Sequence, residues 1–220
     1  DAVIEAARKS GRFLMEAMWT RFLPVMAHLK KWLAEDRIGR LTLLQSGGGF
    51  MPPYNPNYYL FDPARGGGVL LDAGVYLVHL AVNILGMPRD IRAIGYITER
   101  GIDEQFGLLL GYDGGAMADL HVSLHMKSKP EAKIYGDRGI IHVHGPIFCP
   151  SALTLHPYEG DSETISFPVQ NGYAFQAREV NRCLRAGLQQ SPLMTWDETR
   201  HVMQIMDEAR AQMGLRYPME

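Results

Sequence analysis

Cysteine is scarce: the 220 residues hold only Cys149 and Cys183, and neither belongs to a CxxC pair. That excludes a disulfide framework and a Cys-ligated zinc, and it makes a reducing cytoplasm the expected location. An excess of either charge is also missing. Lys and Arg number 22 against 24 Asp and Glu, a net charge of -2, and the basic residues are scattered. Without a basic patch there is no general attraction to phosphate backbones or anionic lipid, so neither nucleic acid nor membrane is an expected partner. No apolar run approaches the roughly 20 residues of a membrane span, and the opening Asp1 to Arg8 is not a signal peptide. Internal repeats and low-complexity segments are absent as well. What is there, 46% hydrophobic and 21% charged residues, is the composition of a soluble globular protein with a substantial core.

The chain opens without Met, inside what reads as a helix with Val3, Ile4 and Ala7 on one face. Phe13-Leu14-Met15 then reads as a short apolar strand. A helix followed by a buried strand is half of a βαβ unit, whose strand needs parallel neighbours. No candidates for them follow, so the expectation is a chain truncated ahead of Asp1. Helical spacing returns at Phe22, Val25, Met26, Leu29 and Leu33, with Pro24 tolerated in the first turn. A strand over 40–45 is expected to end at Gly47-Gly48-Gly49. From Phe50 to Gly68 four prolines break any regular element, yet Tyr54, Tyr58, Tyr59 and Phe61 are too aromatic for a linker, and such loops tend to cover something.

A helix is expected from Asp72 to Leu85, stopped by Gly86 and Pro88. Beyond it the period drops to two, clearest where Ala118, Leu120, Val122 and Leu124 oppose Asp119, His121, Ser123 and His125. Strands are expected over 91–98, 105–112, 132–135, 140–144, 153–158 and 164–167, with Gly-containing turns between several of them, as one antiparallel meander. Two helices close the chain. The last begins at Thr195, whose Thr-x-x-Glu with Glu198 is a capping box, and ends at Gly214. The fold class is α+β, an open, mainly antiparallel sheet with helices on one face.

Chemistry concentrates on the helix after Gly66-Gly67-Gly68. Asp72, Tyr76, His79 and Asn83, at i, i+4, i+7 and i+11, form one polar stripe on an otherwise apolar helix. A helix apolar on most sides is buried, so its polar stripe faces a cleft. A phenol in such a cleft can relay a proton to a substrate hydroxyl, with a carboxylate one turn away to orient it. The competing reading makes Asp72 a helix cap, with Tyr76 and His79 satisfied core polar groups.

Two segments, Met15-Glu16-Ala17-Met18-Trp19-Thr20-Arg21-Phe22-Leu23-Pro24 and Gly-Gly-Gly-x-Leu-Leu-Asp-x-Gly-x-Tyr over 66–76, resemble the glucose-fructose oxidoreductase, inositol dehydrogenase and MocA-like family. The likeness is to its dihydrodiol and xylose dehydrogenase branch. It implies that residues 1–20 are the last helix and strand of a dinucleotide-binding Rossmann domain, and residues 21–220 a substrate-binding and dimerisation domain. It further implies NADP, or NAD, as cofactor, a small sugar or polyol substrate, and a homodimer formed through the open sheet. Asp72 and Tyr76 match the family's catalytic carboxylate and acid/base. Trp19 and Arg21 match positions beside the nicotinamide; otherwise they read as a Trp packed at a junction and an Arg in a surface ion pair. Tyr54, Tyr58, Tyr59 and His79 are the candidate substrate contacts.

The family's phosphate-binding turn and its Glu-Lys-Pro motif do not occur, and neither Gly triplet has GxGxxG spacing. The expected activity, hydride transfer between the nicotinamide and a hydroxyl-bearing carbon of a sugar, cyclitol or trans-dihydrodiol, therefore belongs to a longer protein. The alternative is a non-catalytic, oxidoreductase-like module that dimerises or binds a polyol. The pairs His121/His125 and His142/His144 lack an in-phase carboxylate or Cys, so no metal site is expected. Met203, Met206 and Met213 are expected to fill the core under the last helix.

Overall fold

The computed structural model describes residues 1–220. In chain order its elements are α1 (Ala2–Ser10), α2 (Pro24–Ala34), β1 (Leu41–Gly49), α3 (Val75–Leu85), β2 (Asp90–Ile97), β3 (Asp103–Gly111), β4 (Met117–Ser123), β5 (Ser128–Gly136), β6 (Gly139–Val143), β7 (Ala152–Pro157), β8 (Glu163–Ser166), α4 (Tyr173–Arg185) and α5 (Trp196–Met213). The eight strands form one sheet in the order β2-β3-β4-β1-β5-β6-β7-β8. The fold is the expected α+β class. The meander has one interruption: β1 lies in the middle of the sheet, parallel to β4 on one side and antiparallel to β5 on the other. Periodicity cannot reveal that insertion, because both faces of β1 alternate in the same way whichever strands flank it.

Alternation decides which face is buried. Leu44, Leu108, Leu110, Ala118, Leu120, Val122 and Ile134 point into a core of 36 buried residues, where α5 packs on β2 and α3, and α2 reaches β7. The outward residues of β2, β3 and β4, Ile94, Tyr96, Leu109 and Met117, stay exposed. Helix α5 starts and stops where its signals lie: Thr195 and Glu198 form the reciprocal capping box, and Gly214 closes the helix at φ 73°. Val202, Ile205, Met206 and Ala209 are buried beneath it, whereas Met203 is 45% exposed and does not fill the core.

Gly47-Gly48-Gly49 ends β1 as expected, and the triplet stays in the ladder, paired with His121, Val122 and Ser123 on β4. These glycines are needed for close approach: a Cβ on Gly48 would lie 2.6 Å from Pro130 Cα, and one on Gly47 would meet the His121 ring. Phe13-Leu14-Met15 forms no ladder. Leu14 instead donates its N–H to Gln189 O at 2.9 Å, and its carbonyl accepts from the Trp196 indole at 3.0 Å. A strand takes its definition from neighbours, and here a loop and a helix start satisfy the backbone instead. By length and composition, Pro63–Leu85 passes for a membrane span, contrary to the expectation that no run does. Over its most apolar window 56% is buried within the fold, where it leads into the core helix α3.

Candidate active site

The helix bearing the polar stripe begins irregularly. Leu70–Gly74 form a π-turn, from which α3 continues as a regular α-helix. Asp72 does not cap it. The cap comes from far along the chain, where buried Asp103 on β3 accepts the Leu70 N–H at 2.7 Å. Gly68 is required at that contact, since it has φ 105° and a side chain there would strike the Asp103 carboxylate. Gly74 likewise lets the helix pass over β3, because a Cβ there would lie 2.8 Å from the Phe106 ring.

With its capping task taken over, Asp72 accepts a hydrogen bond from the Tyr59 hydroxyl at 2.6 Å. That bond, with burial second, pushes the Tyr59 phenol well above its ordinary range, so Tyr59 remains a donor. One α-turn along, the half-buried Tyr76 hydroxyl accepts from the Trp19 indole N–H at 3.2 Å. Trp19 lies in the short 3₁₀ turn Trp19–Phe22 and stacks obliquely on Tyr173 with centroids 4.6 Å apart, while Phe148 stands 6.1 Å from the Tyr76 ring. Tyr173 and Phe148 are exposed. These contacts make two groups drawn from five separate segments, Tyr59 with Asp72, and Trp19 with Tyr76, Tyr173 and Phe148. Phe148 and Tyr173 escaped the sequence reading because no spacing links them to Tyr76.

The other candidates sit differently. Arg21 is held within the fold: its side chain is 5% exposed, paired with Glu198 and bonded to the Leu193 carbonyl. His79 is buried beneath Tyr76, and burial, aided by the Arg21 charge, pulls its imidazole down to about 4, so it is neutral. Tyr58 packs edge-on against Tyr59 at 4.7 Å. Tyr54 turns to Phe61, with the Arg100 guanidinium 4.2 Å from its ring centroid. The structure therefore pairs Tyr59 with Asp72 and Trp19 with Tyr76, sets Arg21, His79 and Tyr76 around one pocket, and turns Tyr54 toward Phe61.

Two buried groups make opposite contributions to stability. Burial raises the Asp103 carboxyl from 3.8 to about 7, opposed by backbone N–H groups, so it is protonated in the fold while the unfolded chain ionises; stability falls as pH rises toward 7. His79 is neutral in the fold while the unfolded chain is protonated below 6.5, so stability rises as pH climbs from about 4 to 6.5 and levels off above. Between about pH 4.5 and 6.5 the two slopes cancel, each reaching up to about 1.4 kcal/mol per pH unit. Relative to wild type, His79→Gln should lose stability as pH rises through that window, and Asp103→Asn should gain it. Urea unfolding at several pH values measures both; parallel profiles for all three proteins would remove the assignments.

The fold is an open α+β sheet, and its helix α3 and the turn before it carry a carboxylate and a phenol, each hydrogen-bonded to an aromatic side chain from another segment. Residues 26–142, just over half of the chain, match the GFO/IDH/MocA C-terminal domain, and the chain belongs to that family. It is 31% identical to trans-1,2-dihydrobenzene-1,2-diol dehydrogenase of Xenopus tropicalis, over 98% of this chain and 67% of that protein. Among solved structures it resembles a 3-ketoreductase from Actinomadura kijaniata in complex with NADP and TDP-benzene, with TM-score 0.81 and 21% identity over 96% of this chain and 66% of that one. It also resembles levoglucosan dehydrogenase in complex with NADH and levoglucosan, with TM-score 0.79 and 15% identity over 94% of this chain and 66% of that one. The chain spans about two thirds of the length of each of these proteins.

Proposed function

We propose that this chain is the substrate-binding part of an NAD(P)-dependent dehydrogenase acting on a hydroxyl-bearing carbon of a sugar, cyclitol or trans-dihydrodiol. The hydrogen bond from Trp19 to Tyr76 carries the reading. Because the Tyr76 oxygen accepts from the indole, its own proton is free for a ligand in the cleft. When the phenol gives up that proton, the indole N–H stabilises the oxyanion left behind. Asp72, held at one oxygen by Tyr59, has the other to orient a substrate hydroxyl. Tyr58 and Tyr59 wall the substrate, with Tyr54 at the loop's edge and His79 supporting from below.

The exposed aromatic faces of Phe148 and Tyr173 beside Trp19 suit a flat ring such as a nicotinamide. Bound there, the cofactor would supply the hydride acceptor or donor. The similar solved proteins hold NADP or NADH, which supports the choice of cofactor. Residues 1–20 are read as the end of a nucleotide-binding domain and 21–220 as the substrate and dimer domain. Ile4 and Ala7 of the first part pack on Trp196 of the second, outside the main core. The two free thiols suit a reducing, cytoplasmic setting. NADPH fluorescence titration tests the reading. A protein extended upstream by a nucleotide-binding domain of about 120 residues should quench and bind, whereas the 220-residue chain should not. Failure of the extended protein to bind NADPH or NADH would reject the dehydrogenase reading in favour of a non-catalytic module.

The outward sheet face, where Ile94 is 77% exposed beside Tyr96, Leu109 and Met117, supports a homodimer through the open sheet. Ile94→Arg is expected to shift the mass measured by light scattering from dimer to monomer with the fold intact; a wild-type monomer would refute this interface.

A further inference from the structure

Beneath Tyr76 lies a pocket of about 20 Å³ lined by Met18, Thr20, Arg21, Met26, Tyr76, His79, Leu80, Asn83 and Ile147. Three buried polar atoms on this wall have no partner in the protein: Arg21 Nη1, His79 Nδ1 and Asn83 Oδ1. The rest of Arg21 is spoken for, by Glu198 and the Leu193 carbonyl. Leaving three such groups unpaired would cost several times the roughly 1–3 kcal/mol of one.

The volume fits one water, which needs about 10–15 Å³ on this measure and two to four polar partners. The donor and acceptor types fit only that occupant. Arg21 Nη1 donates and Asn83 Oδ1 accepts, while His79 Nδ1 does one or the other according to its tautomer; water satisfies either set. A cation is refused by the guanidinium, and an anion by the Asn83 carbonyl.

We infer that Arg21, His79 and Asn83 bind one internal water molecule, and that this water fixes the distance between Trp19 and Tyr76. The topology supports the second half. Trp19 and Arg21 share one 3₁₀ turn, and Tyr76, His79 and Asn83 share α3. The Trp19–Tyr76 hydrogen bond and the water bridge are therefore two rungs between the same two elements. In this role Arg21, His79 and Asn83 are positioning residues, acting through the placement of the indole against the phenol. The neutral state of His79 agrees with this, since a charged imidazole beside Arg21 would push the rungs apart.

The experiment needs no turnover, so it is independent of the redox reading. Crystals of the chain that resolve ordered waters should show one peak in the pocket, bonded to all three residues, and Asn83→Leu should remove it. By amide-type NMR exchange, the Trp19 indole proton should then exchange about tenfold faster, the loss of one ordinary hydrogen bond's stabilisation. Asn83→Asp, which keeps the acceptor, should restore the wild-type rate, a recovery that general loosening of the core would not give. Should Asn83→Leu not fold, Asn83→Ala reads the same rate. A pocket without density in the wild type overturns the water site, and an unchanged Trp19 exchange rate in a variant lacking the peak overturns its positioning role.

Discussion

Tyr76→Phe in the extended, cofactor-binding protein is expected to lower kcat at least about a hundredfold, the usual scale of positioned acid/base help. The substitution removes one oxygen and keeps the ring against Phe148, so folding and NADPH binding should persist. The loss should fall on kcat rather than KM, because the phenol matters when the proton moves rather than when the substrate docks. Trp19→Phe should give a smaller loss. Without the indole N–H the oxyanion left on Tyr76 loses its donor, so kcat should fall while the phenol, still present, keeps a measurable rate. If Tyr76→Phe turned over at the wild-type rate, the acid/base assignment would be abandoned, and Asp72 would be the next residue to replace.

Glu198→Ala is expected to destabilise the fold by about 3–5 kcal/mol, because it strands the Arg21 guanidinium, 5% exposed, without its counter-charge. The same carboxylate also closes the capping box, accepting from the Thr195 N–H and hydroxyl, each at 3.1 Å, and losing a cap costs about 1 kcal/mol more. Glu198→Gln keeps an acceptor for the cap while discarding the charge, so it should fall between. Urea unfolding with an unchanged m-value measures both. A loss below about 1 kcal/mol for Glu198→Ala would mean that the pair behaves as an exposed one and that Arg21 finds other solvation.

Much of this was legible in local pattern. The capping box and Gly214 bounded α5, alternation marked the strands, and the stripe Asp72, Tyr76, His79, Asn83 marked a mostly buried helix. The motifs around Trp19 and Gly66–Tyr76 pointed to the family that the match over residues 26–142 then established. What local pattern missed has one cause. The stripe treats four residues as equivalent, but the π-turn offsets Asp72 from the α spacing, and packing divides the rest into Tyr76 at the cleft and His79 within.

The sequence by itself determined the elements, the class of fold and the polar residues that share a helix face, since these follow from side-chain periods of two and 3.6 and from caps a few residues long. Only the tertiary structure decided that β1 runs between β4 and β5 through three glycines. It also decided that Asp103 caps the site helix and so releases Asp72 to Tyr59, and that Trp19 rather than Arg21 meets Tyr76. Each is a contact between residues 13 to 95 positions apart, set by which strands pair and which backbones can approach, and no short-range period carries that information.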